Sequence, residues 1–306
     1  MVKVVDLLNE TTQRLEAAAI ESARLQAELL LAFVLETTRE GLYVRLAEAV
    51  TGETPERLEA LIRRRLSGEP VQHLLGRQEF WSIPFRVGPQ ALIPRPETEL
   101  LVEEALKLLA GSAPGRSWRV LDLGTGSGAI AVALAKEVPF VSVVAADLSP
   151  AALVLARENA RGAGVLDQLR FVVADLFSAF RAGTPDGCFD LVLSNPPYIP
   201  RPELSRLSRE VVEFEPRLAL DGGEDGLDFY RRLFFEACAY VRPGGWILVE
   251  VGQGQAGAVA AMIEGEEGFE KPEILPDLAG IDRVVKVRYS GWPARRVRPG
   301  SMKTGR

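Results

Sequence analysis

Two residue types that carry much of enzyme chemistry are nearly missing from this chain of 306 residues: histidine occurs once, as His73, and cysteine twice, as Cys188 and Cys238. Two cysteines cannot build a disulfide framework, and this set lacks the closely spaced ligands of a Cys/His zinc site. A Ser-His-Asp mechanism would have to use His73, which lies in a stretch of helical periodicity far from any nucleophile-elbow pattern. No apolar run reaches the ~18 residues of a membrane span. Residues 1–8 lack the basic stretch and apolar core of a secretory signal, so the cytoplasm is the expected compartment, without a membrane partner.

Basic charge is also scarce except at one end. The net charge is −6, yet residues 291–306 hold five basic residues and no acid, which leaves −11 on residues 1–290. A body that acidic is poorly suited to neutralising a long phosphate backbone, so no direct nucleic-acid partner is expected. What is present is a core: 47% apolar and 25% charged residues are the proportions of a soluble globular protein. The length allows two domains or one large one.

Residues 1–78 read as helices. Ala17-Ala18-Ala19-Ile20 and Leu25, Leu29, Leu30, Phe33 and Val34 fall on helical spacings, and Thr54-Pro55-Glu56 reads as an N-cap followed by Pro at N1. Arg63-Arg64-Arg65 reads as a solvated helix face. Aromatic and branched residues around Ser82-Ile83-Pro84 suggest a hairpin linker over 79–94. From about 118 to 290 strands alternate with helices, which implies a doubly wound, mostly parallel sheet. Within it, a helix is expected over about 227–241, and the chain from Arg201 to Gly226 reads as irregular, a lid or substrate-binding element. The tail from Gly291 is expected to be disordered.

Two stretches carry chemistry. In the first, the strand Phe189-Asp190-Leu191-Val192-Leu193 runs into Ser194-Asn195-Pro196-Pro197-Tyr198. Pro196 and Pro197 have no N–H, so this turn offers acceptors: main-chain carbonyls and the Asn195 side-chain oxygen. A planar –NH2 group needs two acceptors, one per hydrogen, and Tyr198 could pack on its plane. The pattern suggests a device that presents an amide or amino nitrogen for reaction. In the second, Val120-Leu121-Asp122-Leu123 leads through Gly124-Thr125-Gly126-Ser127-Gly128 into a helix, and Asp147 ends the next strand, where a carboxylate can accept from ribose hydroxyls. A nicotinamide enzyme would carry a similar pair. The Gly-x-Gly-x-Gly spacing and the preceding Asp122 suit a zwitterionic methionine moiety better than a pyrophosphate. Asp175-Leu176, at another strand end, is a candidate adenine site or a solvated turn.

With these residues together, the chain resembles the release-factor glutamine methyltransferases, the PrmC/HemK family. The resemblance rests on Leu92-Ile93-Pro94-Arg95-Pro96-Glu97-Thr98-Glu99, on 122–128, on 195–198 and on Glu215-Pro216 with Gly223-Glu224-Asp225-Gly226-Leu227. It implies a Rossmann-like class I methyltransferase fold with a seven-stranded sheet, spanning 95–290. An N-terminal helical bundle for substrate recognition (1–78), the hairpin linker (79–94) and the basic tail (291–306) complete it. It further implies a cytoplasmic, monomeric enzyme. The reaction would move a methyl group from S-adenosyl-L-methionine, leaving S-adenosyl-L-homocysteine. The acceptor would be the side-chain amide nitrogen (N5) of the glutamine in the Gly-Gly-Gln motif of class I peptide chain release factors.

Carried onto this chain, Asp122, Gly124, Thr125, Gly126, Ser127 and Gly128 would hold the methionine end, Asp147 the ribose, and Asp175 and Leu176 the adenine. Asn195 would border the cofactor. With Pro196 it would also take the two amide hydrogens, and Pro197 and Tyr198 would complete the substrate site. The alternatives are an adenine-N6 or guanine-N2 nucleic-acid enzyme, a ribosomal-protein glutamine methyltransferase, a non-catalytic translation-associated binding protein and a dehydrogenase.

Overall fold

A computed structural model describes residues 2–110, 116–183 and 188–291. The loop read at 111–115, most of that at 183–187 and the basic tail beyond Gly291 lie outside the described residues. The chain divides into two compact units, the first made of residues 1–78, Val87–Pro89 and Leu207–Glu215, the second of the remainder.

In the first unit, helices α1 (Val4–Ala17), α2 (Ala23–Val34), α3 (Arg39–Val44), α4 (Thr54–Leu66) and α5 (Val71–Leu75) enclose a core that includes Leu8, Leu30, Leu31, Leu42 and Ile62. Two local expectations shift. The Ala17–Ile20 stretch does not stay helical; α1 ends at Ala17, and Ala19 and Ser22 take positive φ where the chain turns into α2. Thr54 is the first helical residue of α4 rather than its cap, with Glu53 preceding it. The Arg63-Arg64-Arg65 run is solvated at only two of its positions. Arg65 is 2% exposed; its Nε donates to Gln26 Oε1 at 2.6 Å and its Nη1 to the Glu69 carbonyl at 3.2 Å.

Strands β1 (Arg77–Phe80) and β2 (Ile83–Arg86) form the hairpin. Its turn is Trp81-Ser82, both at positive φ, so Pro84 lies inside β2 rather than in the turn. A 3₁₀ turn over Pro96–Thr98 opens α6 (Glu99–Ala110). Then follow β3 (Trp118–Leu123), α7 (Ala129–Glu137), β4 (Val141–Asp147), α8 (Pro150–Ala163), β5 (Leu169–Val173) and β6 (Phe189–Ser194). Ser149 caps α8, its hydroxyl accepting from the Ala152 N–H at 3.2 Å, with Pro150 in the first turn.

Beyond β6 the stretch expected to be irregular is largely helical: a 3₁₀ turn at Arg201–Arg206, α9 (Arg209–Phe214) and a second 3₁₀ turn at Arg217–Ala219. Within the first unit Glu210 of α9 pairs with Arg65. The next helix, α10 (Asp228–Ala237), stops short of the expected end, because Val241 begins β7 (Val241–Glu250) opposite Phe189, ahead of a register shift. α11 (Ala256–Glu264), β8 (Glu273–Pro276) and β9 (Asp282–Tyr289) complete the chain.

The sheet order is β5-β4-β3-β6-β7-β9-β8, parallel through β7, with β9 antiparallel to both its neighbours. Residue-by-residue signals mark every strand except β8, whose Glu273-Ile274-Leu275-Pro276 is short, ends in proline and lies at the edge. Alternate residues build two cores. Val120, Leu191, Leu193 and Leu248 face α6 and α7; Leu121, Leu123, Val192 and Ile247 face α10 and α11. All six residues of β6 are buried, each large apolar side chain contributing ~2 kcal/mol. No helix among the described residues is long and apolar enough to cross a membrane.

Candidate active site

β3 leads outward to β4 on one side and pairs with β6 on the other, so the order reverses between β3 and β6. In an open α/β sheet that reversal opens a crevice at the strands' carboxyl ends. Ser194 at the end of β6 fastens the two strands there, its hydroxyl donating to the Leu123 carbonyl at 2.7 Å. A cavity of about 350 Å³ occupies this position within the second unit, in the range of small-ligand pockets.

One wall is the glycine turn. Gly124, Gly126 and Gly128 all take positive φ, a path that L side chains resist. Most of the turn's donors are already taken up, chiefly by the end of β4. The Gly124 and Thr125 N–H groups reach the Ala146 carbonyl at 2.9 and 3.0 Å, Gly126 N–H reaches Asp147 Oδ2 at 2.8 Å, and Gly128 N–H reaches the Thr125 carbonyl at 2.8 Å. This is not the open nest of N–H groups that a pyrophosphate needs.

Asp147 also accepts from the Ser149 N–H at 2.8 Å, and burial raises its pKa against the pull of these bonds. Beneath the turn, Asp122 is fully buried. Its Oδ2 accepts from the Thr125 hydroxyl at 2.6 Å, while its Oδ1 has no partner within hydrogen-bond distance and angle among the described residues. Burial pushes the Asp122 carboxyl up to about 7, the nearby Asp147 charge adding to the rise and Thr125 opposing it.

The facing wall comes from the turn after β6. Asn195 and Pro197 line the cavity; Asp122, Gly128, Pro196 and Tyr198 are not among its lining residues. Asn195 Nδ2 donates to Thr98 Oγ1 at 2.9 Å. Tyr198 packs against the core on the Glu250 side, and burial raises its pKa to about 12, the Glu250 charge adding to the rise. Its main-chain carbonyl accepts from Gln255 Nε2 at 2.8 Å, and Ile199 N–H and carbonyl bridge to Leu220 and Gly222. Gly226 is wedged against this turn at φ +79; a Cβ there would lie 2.4 Å from the Tyr198 carbonyl oxygen.

At the far end Asp175 and Leu176 line the cavity, with Leu176 4% exposed and at φ +50, an uncommon and strained conformation for leucine. Asp175 Oδ1 is engaged by Arg232 of α10 at 2.9 Å, a partner the sequence pattern did not indicate. Also unforeseen were Arg95 and Thr98 as lining residues and Glu250 and Gln255 behind the wall. Local patterns cannot announce them, since they reach the site from the turn that opens α6, the end of β7 and the start of α11.

A model of the PrmC N-terminal domain matches residues 6–76, and a methyltransferase domain model matches residues 120–214. The release factor glutamine methyltransferase of Geobacter sulfurreducens is 44% identical over 279 residues, 91% of this chain and 94% of that one. That of Bradyrhizobium diazoefficiens is 42% identical over 275 residues, 90% of this chain and 91% of its own. The chain belongs to the release factor glutamine methyltransferase family. It is a methyltransferase, and its sheet agrees with that assignment. The crystal structure of the hMettl16 catalytic domain in complex with MAT2A 3′UTR hairpin 6 has the same fold, with TM-score 0.52 at 14% identity. It covers 78% of this chain and 84% of that one.

Proposed function

We propose that this enzyme methylates the side-chain amide nitrogen of the glutamine in the Gly-Gly-Gln motif of class I peptide chain release factors, with S-adenosyl-L-methionine as donor. The observation that carries the reading is that the glycine turn after β3 and the donor-free turn after β6 line one cavity. The donor fits the first wall on the chemistry of the residues: the glycine turn lines the cavity beside the Asp147 carboxylate, an acceptor suited to hydroxyl groups, and the buried Asp122 carboxylate lies beneath that turn. Gly124, Thr125, Gly126 and Ser127 would lie along the methionine moiety, Gly128 would set the turn into α7, Asp147 would take the ribose hydroxyls, and Asp175 and Leu176 the adenine. Bound there, the donor supplies an electrophilic methyl group on a sulfonium.

The chain's own residues supply the grip on the acceptor. An amide nitrogen is a poor nucleophile because its lone pair is delocalised into the carbonyl. The Asn195 oxygen and the Pro196 carbonyl would each accept one of its hydrogens, which fixes its face and stabilises the positive charge growing on it. One N–C bond forms as one S–C bond breaks with its electron pair, and the nitrogen then loses one proton to water. Pro197 stiffens the turn, and Tyr198, whose main-chain oxygen is held by Gln255, would pack on the amide plane. We assign the first unit to recognition of the protein substrate, and expect a cytoplasmic monomer that needs no direct nucleic-acid contact.

Mass spectrometry of a purified class I release factor after incubation with enzyme and donor tests this. One added methyl on the motif glutamine is expected. Methylation of ribosomal protein, tRNA or DNA with the release factor untouched would refute it.

A further inference from the structure

One chain of hydrogen bonds enters the site from the interior. Thr98, 4% exposed, donates its hydroxyl to Glu250 Oε2 at 2.6 Å and accepts from Asn195 Nδ2 at 2.9 Å. A hydroxyl has one proton and a carboxylate has none to give. With Glu250 ionised, the directions are therefore forced. Thr98 donates to Glu250, its lone pair takes the Asn195 NH2, and the Asn195 oxygen must turn away from Thr98. Without Thr98 either orientation of that carboxamide would serve, and one of them would set a donor against a donor.

We propose that Thr98 and Glu250 are positioning residues for Asn195. They hold its carboxamide with the oxygen toward the substrate amide, and they polarise it into a stronger acceptor for the charge that grows on nitrogen. The proposal rests on the reading of Asn195 as an acceptor for the substrate's amide hydrogens.

Glu250, at the end of β7, is 2% exposed and is flanked by Glu97 beside Thr98, Tyr198 of the turn after β6, Tyr230 of α10 and Arg283 of β9. Burial raises its pKa to about 7; Thr98, the Tyr198 hydroxyl and Arg283 of β9 favour the charge, while Glu97 beside Thr98 opposes it. Tyr230 of α10 donates to its main-chain oxygen at 2.7 Å and holds the strand end in place. A protonated Glu250 could instead donate to Thr98, which could then donate to the Asn195 oxygen. That reverses the chain and turns the Asn195 NH2 toward the substrate, so the arrangement gates turnover on the acid side.

The test pairs kinetics with a readout on the free enzyme. Thr98→Val and Glu250→Gln are each expected to lower kcat roughly 10-fold or more, with donor affinity by calorimetry within about 2-fold. Thr98→Ser, which keeps the hydroxyl, should restore most of the rate. Glu250→Gln should abolish the acid limb of the kcat profile. By NMR, the Asn195 side-chain NH2 protons of the wild type should exchange slowly and shift with pH. In Thr98→Val both properties should vanish.

Full turnover in Thr98→Val beside a dead Asn195→Ala would overturn the positioning role and leave the site reading intact. Full turnover in Asn195→Ala would overturn the site reading itself. If Thr98→Val does not fold, the wild-type protons decide. Exchange at the rate of a free amide, with proton chemical shifts that do not move between about pH 5 and 9, would end the proposal.

Discussion

The turns after β3 and β6 leave neighbouring strands at the same end of one sheet, yet they are held in opposite ways. The glycine turn is fastened by its own neighbourhood: Thr125 bonds to Asp122 three residues away, and Gly126 to Asp147, 21 residues away. The proline turn is fastened from a distance. Asn195 bonds to Thr98 across 97 positions, and Tyr198 to Gln255 across 57. The first is a cradle whose donors are mostly taken up by the end of the adjacent strand β4. The second is a stiff clamp aimed by residues on three other elements. A cradle held by the strand beside it is fixed once those two strands pair, whereas a clamp aimed by Thr98 and Gln255 waits on contacts between elements distant in the chain.

The largest expected effect separates the two turns outright. Asn195→Ala should lower kcat by on the order of 10²–10³-fold while calorimetry finds donor affinity nearly unchanged, because only the clamp is damaged. A parallel loss of donor affinity would mean the turns do not divide the work.

Next, Gly226→Ala attacks the clamp's packing without touching Asn195. A Cβ 2.4 Å from the Tyr198 carbonyl oxygen, at φ +79, should cost about 1–3 kcal/mol of stability and much of the turnover, read by denaturant midpoint and kcat. An unchanged midpoint would show that this turn yields more readily than its contacts imply.

A smaller effect belongs to the cradle. Burial raises the Asp122 pKa from its ordinary value to about 7, so the folded state keeps a proton that the unfolded chain has released. Stability from this group is present at low pH and lost as pH rises toward about 7. Chemical denaturation should therefore find the protein less stable at about pH 8 than at about pH 5.5, and Asp122→Asn should reduce that difference by about 2 kcal/mol.

The smallest concerns the far end of the cradle. Arg232→Ala removes a half-exposed ion pair with Asp175 and should change stability by less than about 1 kcal/mol. A larger loss, measured by the same denaturation, would make this end of the cavity depend on tertiary contacts as the clamp does.

Local pattern alone determined a good deal. Glycines at 124, 126 and 128 require positive φ whatever surrounds them, paired prolines remove donors wherever they fall, and runs such as Phe189–Ser194 announce a buried strand. The doubly wound sheet and both turns were legible for that reason. What tertiary structure alone decided was aim and environment. Thr98 reads as an ordinary helix-opening residue and Glu250 as the polar end of a strand, until folding sets them 2.6 Å apart behind Asn195. Arg65 reads as solvated until α9 supplies Glu210. β8 has so few residues and so little alternation that only its partner β9 makes it a strand. Backbone preference is carried by each residue and its neighbours, while the direction of a hydrogen bond or the burial of a charge depends on groups that meet only when the chain is folded.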